Sequence, residues 1–238
     1  MEWVLIIVVS AVLIYIAITL IVAVNLLTRG RLRIKPVDDE KRIKRQLKKM
    51  RSTAEWAEQN QFLFVQFYEI FLSGQKMWAG IWQHEESPTY LTQYFIFAGD
   101  VLKSIYEFTS DFDYGMAVNT SASRDSVFFP KPPGIYVQTF PRFRKKLDEL
   151  WMQHMEAEAY LLQNGAAWPS RIRGLEEQIA ESVQRETRYV RSIPFWPFRG
   201  AWWYFVRRLQ RSNLTIEQQV EKGYAVLPDE LVQSVVEI

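Results

Sequence analysis

The sequence predicts an α+β protein tied to a membrane. The expected layout is an N-terminal transmembrane helix, one cytosolic domain with an antiparallel sheet of five or six strands flanked by helices, and a C-terminal amphipathic helix. Three observations carry this reading. Residues 3–27 contain no charged side chain. Residues 62–140 are rich in strand formers broken by turn residues. Residues 193–211 combine aromatic side chains with arginine.

Composition narrows the classes. The 238 residues are 48% hydrophobic and 15% aromatic, too apolar for a disordered chain. With no Cys, disulfide scaffolds, thiolate nucleophiles and Cys-based zinc sites are excluded. Two His in separate segments argue against a His-based metal site, so neither metal nor cofactor is expected.

The uncharged run WVLIIVVSAVLIYIAITLIVAVNLL reaches ~38 Å as a helix, enough to cross a ~30 Å hydrocarbon core with some tilt. Its β-branched residues suit a helix there because in lipid the backbone must bond to itself. A cleaved signal peptide would want a basic leading region and a shorter apolar core. Here the charged residue before the run is Glu2, so residues 1–28 read as an anchor.

Eleven basic residues against three acidic ones occupy positions 29–51, beginning with Arg29, Arg31, Arg33 and Lys35. The positive-inside bias puts this side in the cytoplasm and the N-terminus outside. Residues 29–58 read as a basic juxtamembrane stalk. Its helix, over 38–58, starts at an Asp38 or Asp39 cap and carries an Ile43, Leu47, Met50, Ala54, Ala57 seam. That seam suits either a second chain or the domain itself.

The α+β domain is expected over 59–164. Strands are predicted at 62–72, 76–84, 89–97, 102–112, 115–121 and 134–140, with short connections that favour an antiparallel meander. The fourth alternates: Leu102, Tyr106, Phe108 and Phe112 on one side, Lys103, Glu107 and Asp111 on the other. The first two strands are apolar on both faces, which suggests cover on both. The proline-rich loop 121–134 is long for a hairpin. A helix over about 143–163 should pack on the sheet and stop at Asn164-Gly165. Residues 165–193 read as a charged helical arm with a thin Ile172, Leu175, Ile179, Val183, Val190 stripe, and 213–238 as a tail.

Residues 194–212 read as an interfacial helix. On a helical wheel Phe198, Ala201, Trp202, Phe205, Val206 and Leu209 share one side, and Arg207, Arg208 and Arg211 lie opposite or at its edge. Trp196, Arg199 and Trp203 complete the aromatic and basic set. Such a helix can lie in the headgroup plane. The same stripe also suits the domain's own core or a partner's transmembrane helices.

Charge is segregated. The segment 29–51 carries +8 and 187–211 carries +6, while 52–186 between them carries −7. Both basic belts suit a negative lipid surface. The acidic body lacks the footprint of a nucleic-acid binder.

Catalytic motifs are missing: no phosphate-binding G-x-x-x-x-G-K-[ST], no G-x-G-x-x-G, no G-x-S-x-G and no H-E-x-x-H. The remaining catalytic candidates are Asp111 with Asp113, placed on one face by alternation, and His84 beside Glu85 and Glu86; a polar strand end and a solvated turn are the simpler readings of the two. The chain therefore reads as a single-pass scaffold or interaction subunit, with the bilayer and a membrane-protein partner or a second copy as its partners. A lipid- or apolar-ligand-binding module and a membrane-bound enzyme are the alternatives.

Overall fold

The computed structural model describes residues 2–29, 33–39, 43, 48, 50–72, 75–98, 101–127, 129–143, 146–170 and 175–236. It is an α+β fold built on a seven-stranded, mostly antiparallel sheet flanked by helices. Helix α1 covers Glu2–Arg29, and its stretch Trp3–Ile21 is long and apolar enough to cross a membrane, a test that a signal sequence also passes.

The strands are β1 (Arg33–Pro36), β2 (Phe62–Leu72), β3 (Gln75–His84), β4 (Thr89–Ala98), β5 (Val101–Asp111), β6 (Ala117–Ser121) and β7 (Ile135–Thr139), in that spatial order. The count corrects the expected five or six strands. The added strand is β1, which pairs Arg33 with Phe71 along the edge of β2. Of the predicted 38–58 helix, the described part is α2 (Arg51–Gln59), with Ile43 and Lys48 also helical; Leu47 and Arg31 lie outside the described residues.

The sheet also departs from a pure meander. β6 and β7 run parallel, Ala117 opposite Ile135 and Ser121 opposite Thr139. A parallel neighbour needs a crossover of about a dozen residues, which the long proline-rich loop supplies. That loop turns through a 3-10 segment at Arg124–Val127 and buries Phe129.

Both faces of the sheet are covered. On one, Phe62, Phe67, Trp82, Leu91 and Phe108 pack with Met50, Ala57 and Leu150 beneath α2 and α3 (Leu147–Gln163). Next to them Phe112, Val118 and Tyr136 pack on Ala157 and Leu161 of α3 and on Ile216 of α7 (Ile216–Glu221). On the other face Tyr68, Ile70, Ile81 and Tyr90 meet Ile34 and Ile179. Ile179 belongs to α4 (Leu175–Ser192), so the segment expected to stand out as an arm is a roof over the sheet.

Residues 196–211 form one helical run: α5 (Trp196–Trp202), a π-helical turn (Trp203–Arg207) and α6 (Arg208–Arg211). The chain enters it through Phe195 in the left-handed conformation, φ 55°. Helix α8 (Pro228–Val236) closes the described chain.

Candidate functional site

Three places gather the side chains that matter. The first is the α5–α6 run, the foot of the domain. It packs against α1, where Ile18 lies beside the cluster of Phe129, Val190, Trp196 and Trp203. Ile18 lies within the uncharged run 3–27. Trp196 is 4% exposed and its ring centroid is 6.2 Å from that of Phe129, so this tryptophan is held in the domain and does not face outward as the sequence suggests. Trp203 Nε1 donates to the Val127 carbonyl at 3.1 Å. By contrast Trp202 is 59% and Phe195 78% exposed.

The arginines divide in the same way. Arg199 and Arg207 are exposed. Arg208 lies 3.9 Å from the Tyr204 ring centroid, and Arg211 lies 4.9 Å from Trp203 and 5.1 Å from Tyr224. Burial, then the charge of Arg207, hold the Arg211 guanidinium below its usual range. A π turn adds one residue to the helical repeat, so the regular wheel loses phase within this segment. Adjacent helical residues point about 100° apart in any case, so Trp202 and Trp203, and Arg207 and Arg208, part company. Of the basic flank, Arg33 and Lys35 are exposed on β1. The side chains of Arg29, Phe198 and Phe205 lie outside the described set.

The second place is a cavity of about 340 Å³ between the sheet and α4. Ile70, Met77, Ile96 and Ile105 line one part; Glu107, Asp111, Ser126 and Lys131 line another. Ser126 Oγ donates to Glu107 Oε2 at 2.7 Å, and Lys131 Nζ pairs with Glu186 at 3.0 Å. Burial pushes the Glu107 carboxyl up, against the opposing pull of Ser126 and Lys131. The Tyr94 hydroxyl is driven well above its usual range by burial and then by Glu107. Arg185 donates to the Gly115 carbonyl.

The third place is a buried polar cluster on the α3 side. His154 is 0% exposed. Its Nε2 lies 2.8 Å from Ser110 Oγ, and its Nδ1 lies 2.9 Å from Thr120 Oγ1. Ser110 also donates to Glu158 Oε1, which accepts from Thr89 at 2.8 Å as well. A hydroxyl against an imidazole is the pairing a nucleophile needs. Here, however, the far ring nitrogen meets a threonine and not a carboxylate, and Ser110, like His154, has no surface open to solvent. The cluster joins β5, β6 and α3 as a buried hydrogen-bonded tie.

The catalytic candidates drawn from the sequence are not assembled. Asp111 ends β5 at the cavity wall. Phe112 is still extended, but the chain turns into a 3-10 segment at Asp113, whose Oδ1 accepts from the Ser170 amide at 3.1 Å. His84, at the end of β3, lies edge-on to Phe62 and tilted against Trp151, with ring centroids 5.0 and 5.8 Å away, and its Nδ1 lies 3.1 Å from Ser87 Oγ. Among the described residues no group of three or more His, Asp or Glu is placed to hold a metal ion.

Glu107 and the cavity were not singled out from the sequence. The available signal was the acidic side of the fourth strand together with the thin apolar stripe of α4, two half-faces that cover each other. Comparison with known proteins finds no matching family model, no matching curated protein and no matching solved structure.

Proposed function

We propose that this chain is a single-pass membrane protein whose α+β domain is held against one bilayer surface by two contacts, α1 and the foot. In this reading it serves as an interaction or scaffold subunit within a membrane assembly, joined to a membrane-protein partner or a second copy. One observation carries it: Ile18, within the uncharged run 3–27, packs against the cluster that holds Trp196 and Trp203, while Trp202 and Phe195 on the same segment turn outward. The foot packs on the helix that carries the uncharged run 3–27, so in this reading its outward face is set beside the anchor and toward the bilayer. Tryptophan and phenylalanine there gain apolar burial, and Arg199 and Arg207 reach phosphates. The +8 flank at 29–51 supports a cytosolic domain with the N-terminus outside.

The chain lacks cysteine, so single cysteines can be labelled without background. Nitroxides at Phe195→Cys and Trp202→Cys in the full chain, reconstituted in anionic vesicles, should show oxygen contact and protection from a water-soluble relaxant. Leu63→Cys should show the reverse. Leu63 sits at the other end of β2 from Phe71, the residue beside Arg33, about 26 Å away at ~3.3 Å per residue. Aqueous signals at both foot positions would defeat the second contact. Mild extraction followed by sizing and mass spectrometry should recover a companion protein or a second copy; a solitary monomer would defeat the scaffold role.

The cavity under α4 favours a second reading, a membrane-tethered module that takes an apolar or amphiphilic ligand.

A further inference from the structure

We infer that the cavity between the sheet and α4 binds a small amphiphile with a primary ammonium head and a short apolar tail, the head seated at Glu107. This rests on the second reading above and does not depend on the foot.

Protein interiors are close-packed, and voids much larger than a water are few. A space of about 340 Å³ falls at the small end of the range of ligand pockets. Its lining is graded along the strands. Met77 of β3 is opposite Ile96 of β4, and Ile105 on β5 shares a face with Glu107, two residues on. The aliphatic part lies toward the end of the sheet where β1 receives the chain from α1, since Arg33 pairs with Phe71 and Ile70 is the next residue of β2. An apolar tail there meets Ile70, Met77, Ile96 and Ile105.

The polar part selects the head. Among the described residues that line the cavity, Glu107, Asp111, Glu181 and Glu186 are carboxylates and Lys131 and Arg185 are cations. Lys131 is bonded to Glu186 at 3.0 Å, and Arg185 donates to the Gly115 carbonyl. Glu107 is bonded to the Ser126 hydroxyl, a neutral group. A buried carboxylate is costly without a bonded cation. An anionic head seated at Glu107 would meet a like charge. A primary ammonium brings three donors and one positive charge, and its hydrogen bonds to a carboxylate are of the stronger, charge-assisted kind. The thin stripe of α4, with Ile179 and Val183 on the cavity wall, closes over the tail.

The test uses the full chain in phosphatidylcholine nanodiscs and three matched probes: n-hexylammonium, n-hexanol and n-hexanoate. Binding is read by saturation-transfer NMR and by the shift in unfolding temperature. Hexylammonium should bind saturably, hexanol and hexanoate should not, and Glu107→Gln should weaken hexylammonium about tenfold or more. Glutamine keeps the shape and removes the charge, so the variant is expected to fold. Ala117→Phe, which fills the cavity from β6, should block hexylammonium as well and keeps the test decisive if Glu107→Gln fails to fold. Equal binding of hexylammonium and hexanol, lost in Ala117→Phe, would overturn the ammonium assignment and leave the ligand site. Signals unchanged by both variants, or no binding of any probe, would overturn the site itself.

Discussion

His154 Nε2 lies 3.3 Å from Glu158 Oε1, one turn along α3, and the pair is buried against β5. Burial pushes the Glu158 carboxyl up. The hydrogen bond and charge of His154, then the hydroxyls of Ser110 and Thr89, outweigh it and leave the carboxyl below its ordinary 4.5. A carboxyl depressed in the fold stabilises it above the unfolded-state value, and this contribution is lost as pH falls through the folded-state value. Glu158→Gln should therefore lower stability at neutral pH and flatten the acid limb below about pH 4.5. Breaking such a buried pair costs about 3–5 kcal/mol. Denaturant unfolding followed by tryptophan fluorescence across pH 3–8 checks both points; a parallel downward shift at every pH would refute the linkage.

Glu107 has the opposite sign. Its carboxyl is raised by burial, so its ionisation opposes folding. The penalty is missing below the ordinary value of 4.5, grows as pH rises through the folded-state value and is complete above it. Glu107→Gln should be more stable than the parent at pH 8, and the two curves should converge near about pH 4. Thermal unfolding at the two pH values measures the difference.

Gly80 on β3 leaves room for Met50 and Phe67. A Cβ there would stand 2.5 Å from Met50 Cε and 2.8 Å from Phe67 Cε1, both side chains being buried. Gly80→Ala should destabilise by about 1–3 kcal/mol through overpacking. The cost should shrink when Met50→Ala is present, a coupling that a double-mutant cycle reads directly.

The two tryptophans of the foot should respond differently. Trp203→Phe deletes the donor to the Val127 carbonyl and leaves a part-buried acceptor, a loss of about 1 kcal/mol or more. Trp202→Phe, at an exposed position, should stay within about 0.5 kcal/mol of the parent in detergent. Equal losses would contradict the inward and outward assignment.

Much of the sheet is legible locally. Turn residues at Glu85–Pro88 and the clean alternation of Leu102 to Asp111 mark strand ends that the structure meets within one or two residues. β1 escaped because Arg33–Pro36 is four residues long, mostly polar and ends in proline; it becomes a strand by pairing with Phe71 to Tyr68. The parallel β6–β7 pair was hidden for a related reason: loop length hints at a crossover but does not say which way the chain returns. The foot's aromatic and basic content was visible, whereas its facing was not: Trp196 is buried by Phe129, which is distant in sequence, and beyond Trp202 a π turn at Trp203–Arg207 shifts the phase that the wheel assumes to be constant.

The sequence by itself determined what depends on neighbours along the chain: a long apolar helix, the run of strands, the helix over Leu147–Gln163 and the segregation of charge. Only the tertiary structure decided what depends on distant partners. It brought Ser110 to His154 across 44 positions, laid α4 over Glu107, and turned Trp196 inward while leaving Trp202 outside. Hydrophobic periodicity says that a face must be covered, but burial is non-directional, so it does not name the residues that cover it.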